Sequence, residues 1–207
     1  MYPSFSLTGQ NLALIRGDRL LFKDCNFQVK SGQVLHLKGP NGAGKTSLLN
    51  LICGLIEPDQ GQVTGEFEDV DSLSSWLSLK TLYLGHQLGI KSTLSVYENL
   101  AFYAALRGCD RQQIPQAISA VGLQGYETQL AAHLSQGQRR RICLARLLIE
   151  NVPLWILDEP FVALDVKGQA WLAGLIEQQV ERNGAVIFTS HQPVSLSIPT
   201  LELSVGV

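Results

Sequence analysis

Residues Gly39–Thr46 read GPNGAGKT, matching the spacing G-x-x-x-x-G-K-[ST]. They follow directly on the strand-like run Gln33–Lys38 and lead into a leucine-rich run, Lys45–Cys53, that Gly54 can end. A strand, a glycine loop and a helix in that order form a phosphate-gripping unit, which leaves the chain few choices of fold. The loop wraps phosphates with backbone N–H groups, and side chains there would block the approach; hence Gly39, Gly42 and Gly44. The helix that starts near Lys45 points its positive end at the anion. Lys45 adds a mobile charge for the β- and γ-phosphates, and the Thr46 hydroxyl is placed to ligate Mg²⁺. The candidate contacts to a nucleoside triphosphate are Gly39, Pro40, Asn41, Gly42, Ala43, Gly44, Lys45, Thr46 and Ser47. A random chain of this length would match the pattern on the order of once in a hundred.

A second feature fits the first. Leu154–Pro160 reads LWILDEP, an apolar strand closed by two acids. In a phosphate-loop fold such a strand presents its first carboxylate, Asp158, to the magnesium position. Glu159 would then sit beside the γ-phosphate as the base that orients or deprotonates water. Pro160 cannot continue a ladder and ends the strand. An acidic pair closing a strand is by itself more often a solvated turn; after a phosphate loop the catalytic reading takes precedence.

Composition narrows the classes. The chain has 207 residues, 45% hydrophobic and 16% charged, which suits one well-buried domain and argues against wholesale disorder. A net charge of -2 gives a nucleic-acid partner no electrostatic support. No stretch reaches the ~18 uninterrupted apolar residues of a membrane span, and MYPSFSLTGQ lacks the features of a signal peptide. Cys25, Cys53, Cys109 and Cys143 are scattered without a C-x-x-C pair, so they read as small hydrophobes in a reducing compartment. These features place the chain in the cytoplasm, with any membrane contact borrowed through a partner.

Along the chain, Ser4–Lys38 tends to alternate apolar and polar residues, with turns at Arg16-Gly17-Asp18 and Ser31-Gly32, and reads as an antiparallel β lobe. Gly61–Glu68 and Thr81–Leu84 read as strands. Ser95–Arg107 reads as a helix whose capping box is Ser95 with Glu98. Ile114–Val121 and a segment opened by Ser135 and running to about Ile149 read as further helices. Leu154–Leu157 and Ala185–Thr189 are continuous apolar runs, as expected of parallel strands covered on both faces, and Val166–Arg182 supplies the helix between them. The expected class is α/β: a mainly parallel core sheet, an antiparallel β lobe, and a helical lobe at about residues 88–150 whose helices begin at Ser95 and lead to the segment near Leu134. His36, in an apolar strand, reads as a satisfied core residue, and Trp76, Trp155 and Trp171 read as packing residues.

Leu134–Gln138 reads LSQGQ. With GPNGAGKT before it, and LWILDEP and TSHQ (Thr189–Gln192) after it, the whole chain resembles an ATP-binding cassette (ABC) ATPase, a P-loop NTPase. The resemblance implies that ATP and Mg²⁺ are its cofactors and that it hydrolyses ATP between two copies of itself. Lys45, Glu159, His191 and Gln87 match the family's catalytic positions, and Thr46, Gln87 and Asp158 its metal positions. Ser135, Gly137 and Gln138 match the signature that docks on ATP held by the opposite subunit, and Asp165 the loop where subunits touch. His191 matches the switch histidine; imidazole suits that role because one ring nitrogen donates while the other accepts. The family's signature is usually LSGGQ, and Gln136 departs from it while Gly137 is kept. Where the family stacks an aromatic residue on adenine this chain has Arg16, whose planar guanidinium can stack on a purine with looser base selectivity; a solvated turn arginine is an equal reading.

A narrower resemblance rests on GHQLGIK (Gly85–Lys91), Tyr97-Glu98-Asn99-Leu100, LWILDEPFVALD (Leu154–Asp165) and TSHQP (Thr189–Pro193). These, with the length, resemble the ATP-binding subunits of the bacterial cytochrome c maturation system. That implies integral membrane permease subunits as partners, a peripheral place on the cytoplasmic face of the inner membrane, and a role in haem export or in release of a haem-loaded carrier. No haem site is legible: there is no C-x-x-C-H and no histidine in an axial-ligand setting. Another small exporter's ATPase is the alternative. A ribosomal or chromosomal cassette is less suited, because the chain has one cassette and no coiled-coil insertion. A dead regulatory cassette would lack Lys45, Glu159 or His191, and all three are present.

Overall fold

The computed structural model describes residues 1–68, 72–191 and 194–206. Along the chain the elements begin with β1 (Phe5–Arg16), β2 (Arg19–Lys30), β3 (Val34–Lys38), α1 (Lys45–Ile52), β4 (Gln60–Phe67), α2 (Leu73–Lys80) and β5 (Thr81–Leu84). They continue with α3 (Val96–Arg107), α4 (Ile114–Ala120), α5 (Gln136–Ile149), β6 (Leu154–Leu157), α6 (Val166–Glu181), β7 (Ala185–Thr189) and β8 (Thr200–Ser204). The chain divides into two compact units. One comprises Met1–His86, Val152–Phe161 and Ala170–Val207, the other Gln87–Asn151 and Val162–Gln169.

The first unit holds both sheets. A five-stranded sheet runs β5-β6-β7-β3-β8, and a three-stranded sheet runs β2-β1-β4. All neighbours in the first are parallel and all in the second antiparallel. Every residue of β6 and β7 is buried, which is why Leu154–Leu157 and Ala185–Thr189 read as unbroken apolar runs. One continuous core joins Leu7, Leu12 and Phe22 of the antiparallel sheet to Leu35, Leu37, Ile156 and Ile187 of the parallel one, with Leu48, Leu49 and Ile52 of α1. Burying the α1 leucines stabilises the helix that carries Lys45, since a helix this short has little stability of its own.

The antiparallel lobe differs from the expected Ser4–Lys38. It stops at Lys30; β3 belongs to the parallel sheet, between β7 and β8, and the third antiparallel strand is β4. In β3 only Lys38 is less than fully buried, so it has no solvent face to produce a clean alternation. Two elements lay outside the sequence expectations. Helix α2 is fixed by Trp76, which stacks on Phe67 at 4.3 Å and tilts against Phe5 at 4.7 Å. Strand β8 is an edge strand with a mostly exposed polar pattern, and its Glu202 pairs with Lys38 of β3. His36 is a core residue, as expected: it is 6% exposed and stacks on Phe188 at 4.4 Å. Burial pushes its pKa below the usual imidazole value and so favours the neutral ring.

The second unit is mostly helical. Ser95 caps α3 in a full capping box with Glu98, and Ser135 caps α5 in another with Gln138. Buried Asn99 ties down the segment before α3. Its side-chain oxygen accepts from the Lys91 N–H, while its amide donates to the carbonyls of Lys91, Leu94 and Ser95. Glu150, its side chain fully buried, meets Arg146 Nε at 2.6 Å and Arg107 Nε at 3.2 Å. The Arg146 guanidinium lies 3.7 Å from the centre of the Tyr103 ring, whose hydroxyl donates to the Gly89 carbonyl. The four cysteines are free, and burial raises the thiols of Cys25 and Cys143 to about 11 and of Cys53 to about 12, which leaves them unreactive.

Candidate functional site

Strand β3 delivers the chain into the glycine loop, and two glycines show why no other residue serves. At Gly39 (φ +148°) a Cβ would come within 2.4 Å of the Val205 carbonyl oxygen, and at Gly44 (φ +97°) within 3.0 Å of the Phe22 ring. Lys45 is 7% exposed; its ammonium donates to the carbonyls of Gly39 (2.8 Å) and Pro40 (3.1 Å). Folded back in this way it satisfies its charge within the loop, and it sits where a phosphate would draw it off.

The acidic end of β6 lies against this loop. The Thr46 hydroxyl donates to Asp158 Oδ2 at 2.9 Å, which brings together the first residue pair expected to hold a metal. Among the described residues no group of three or more His, Cys, Asp and Glu side chains could hold a metal ion. A hydroxyl and one carboxylate nonetheless suit Mg²⁺, a hard cation that takes oxygen donors, keeps several waters and completes its shell with substrate phosphates.

Sequence reading passed over Thr189 at the end of β7. This residue is fully buried; its hydroxyl donates to Asp158 Oδ1 at 2.7 Å and accepts from the Glu159 backbone N–H at 2.8 Å. One hydroxyl therefore orients both acids. Glu159 has φ +49°, a left-handed conformation that costs a non-glycine residue energy and is held by its surroundings. The Thr189 bond is part of that hold, and so is the Asp158 N–H bond to the Leu84 carbonyl. The signal was present in TSHQ, where only the histidine drew notice. His191 approaches Glu159 twice: its backbone N–H donates to Oε2 at 3.2 Å, and Nε2 lies 3.1 Å from Oε1, an ion pair whenever the ring is protonated. Gln192 and Pro193 of the TSHQP motif lie outside the described residues.

Of the expected site residues, the first unit therefore gathers the loop Gly39–Ser47, Asp158, Glu159 and His191. Arg16 stands at the β1–β2 hairpin, paired across the ladder with Arg19. The second unit carries the rest. Gln87 is exposed, ahead of the segment tied by Asn99. Ser135 and Gln138 spend their side chains on capping α5. Gly137 is different: a Cβ there would meet nothing closer than 4.0 Å, so nothing within this chain requires glycine. Asp165 Oδ1 accepts from the Gly168 N–H at 2.8 Å, at the start of α6.

Comparison with known proteins identifies the family. Residues 22–162 match the family described as ABC transporter. A protein of Nitrosomonas europaea named cytochrome c biogenesis ATP-binding export protein CcmA is 44% identical over 96% of this chain and 94% of its own length. A protein of the same name from Mannheimia succiniciproducens is 45% identical over 92% and 89%. Among solved structures, a putative ABC transporter ATP-binding protein from Pyrococcus furiosus superposes with a TM-score of 0.79 at 26% identity, covering 97% of both chains. The dimeric bacterial cassette MJ0796 superposes at 0.76 with 23% identity over 90% and 88%, which speaks to the fold alone.

Proposed function

The chain belongs to the ABC transporter family, alongside its CcmA relatives, and from that premise we propose that it is the ATP-hydrolysing subunit of a bacterial inner-membrane complex for c-type cytochrome biogenesis. The step it energises is haem export or release of a haem-loaded carrier. The observation that carries the enzymatic part is the chain of contacts Thr46–Asp158–Thr189–Glu159–His191, and identity over almost the whole chain supports the biological part. Membership of the family makes this an ATPase coupled to transport. The single-cassette fold works as two copies, and the whole chain acts as one nucleotide-binding domain.

In the proposed mechanism the loop Gly39–Ser47 binds the phosphates, and Lys45 leaves its own carbonyls for the β- and γ-oxygens. Thr46 and Asp158 would hold Mg²⁺, and the ion would supply charge neutralisation on the phosphates when bound. His191 turns from Glu159 towards the γ-phosphate, freeing the carboxylate to take a proton from the attacking water. Ser135, Gly137 and Gln138 of one copy meet the ATP of the other, and Asp165 lies at that contact; the open space at Gly137 supports an approach from outside the chain.

Thr189→Val, which keeps the shape and removes the hydroxyl, is expected to lower kcat by roughly tenfold to a hundredfold, since small misplacements of catalytic groups cost that much. KM for ATP should move little and Thr189→Ser should restore the rate. A lowered kcat that Ser does not restore would assign Thr189 to packing alone.

The membrane partners are proposed to dock on Gln87–Leu106. Among the described residues no helix is long and apolar enough to cross a membrane; in this reading permease subunits hold the chain at the cytoplasmic face of the membrane. Tyr97, Phe102 and Leu106 of α3 are exposed, and Lys91 sits over the Phe102 ring at 4.5 Å. Lys91→Glu is expected to cut recovery of membrane subunits with the tagged chain severalfold and to impair c-type cytochrome assembly, while ATP binding is kept. Mass spectrometry of the material copurified from membranes checks it. Normal recovery together with normal cytochrome assembly would remove this surface from consideration.

A further inference from the structure

The β1–β2 hairpin places Arg19 beside the phosphate loop and pairs it with a second arginine, Arg16. Arg16 and Arg19 are cross-strand partners, so their side chains leave the sheet on the same face. Like charges in that position repel, and neither arginine has a hydrogen bond or ion pair with another described residue. The Arg19 guanidinium nevertheless has a definite place. Its Nη1 and Nη2 lie 3.6 and 3.8 Å from the point that a Cβ on Gly42 would occupy. The strand behind it is seated on the same loop: Phe22, 1% exposed, and Leu21 come within 3.0 and 3.1 Å of the corresponding point at Gly44. One unneutralised guanidinium, that of Arg19, thus stands beside a loop whose task is to hold an anion, with Arg16 paired to it across the hairpin.

We infer that Arg19 is a phosphate ligand of the bound nucleotide, and that it makes binding depend on the phosphate charge more than on stacking against the base. The inference rests on the ATPase reading. A guanidinium suits the position because its planar fork matches phosphate oxygens and stays charged at any working pH. The ligand class is a purine nucleoside di- or triphosphate. Because the recognised charge is common to adenine and guanine nucleotides, the site tolerates either base, whereas an aromatic stack with base contacts would not need the phosphates for its share of the affinity.

The test is calorimetric titration of the full chain with ATP, ADP and GTP at low and moderate salt, for the parent, Arg19→Gln and Lys45→Ala. Arg19→Gln is expected to weaken ATP and ADP by about tenfold, the worth of one charged hydrogen bond, and to flatten the fall of affinity with salt. The parent should bind GTP within a factor of a few of ATP. Arg19 is exposed, so the variant should melt at the parent temperature. If Lys45→Ala loses binding while Arg19→Gln matches the parent in affinity and salt dependence, Arg19 is no ligand and the ATPase reading stands. A parent that rejects GTP strongly overturns the charge-based recognition. A parent that binds no nucleotide overturns the ATPase reading, and this inference with it.

Discussion

Glu159→Gln is expected to slow phosphate release by about 10²–10⁴-fold, the usual worth of a positioned general base. The amide keeps the side chain's size and can still accept a hydrogen bond from His191, so ATP binding should survive. Without hydrolysis to reopen it, the pair of subunits should persist as a closed, ATP-loaded dimer. Lys45→Ala removes the charge that grips the phosphates and should leave the subunits apart. Light scattering with Mg-ATP and phosphate release, measured on the chain copurified with its membrane subunits, separates the two variants. A Glu159→Gln protein that hydrolyses at the parent rate would rule out Glu159 as the base.

Glu150→Ala is expected to produce the largest loss of stability, although the residue touches no part of the nucleotide site described above. Its carboxylate is fully buried between Arg146 and Arg107, and Arg146 is only 9% exposed. Removing the acid leaves a buried guanidinium without its charge partner, which costs about 3–5 kcal/mol. For a chain of this size each kcal/mol is worth roughly 2–4 °C in Tm, so the melt should fall by about 6–20 °C. Glu150→Gln, which keeps acceptor and shape, should recover part of it. Thermal unfolding by circular dichroism decides the matter, and an unchanged Tm would show that Arg146 is served by Tyr103 and solvent alone.

The elements that could be read in advance are those in which local and global signals coincide. Leu154–Leu157 and Ala185–Thr189 are buried on every side, so their composition alone marks them. Ser95 and Ser135 announce α3 and α5 because their capping boxes are local. Strand β3 was assigned to the wrong sheet because pairing is decided by residues distant in sequence, and no turn nearby specifies it. Helix α2 depends on Trp76 finding Phe5 and Phe67, a packing fact with no periodic trace. The site divides in the same way. Phosphate loop, acids and histidine carry fixed spacings, whereas Thr189 and Arg19 acquire meaning only when the sheet and the hairpin bring them to Asp158, Glu159 and Gly42.

Strand β3 is laid down early in synthesis, yet its ladder partners are Val186–Thr189 and Thr200–Ser204. The loop that follows it is closed from behind by Val205, whose N–H donates to the Lys38 carbonyl at 2.8 Å. A ribosome therefore passes Ala185 before the strand feeding the phosphate loop has any ladder partner. Contacts this distant in sequence are slow to form, and an exposed, unpaired apolar strand is a hazard while it waits. Nucleotide binding thus waits on the making of β8, and a message truncated before it should yield a chain that chaperones and proteases meet before ATP does.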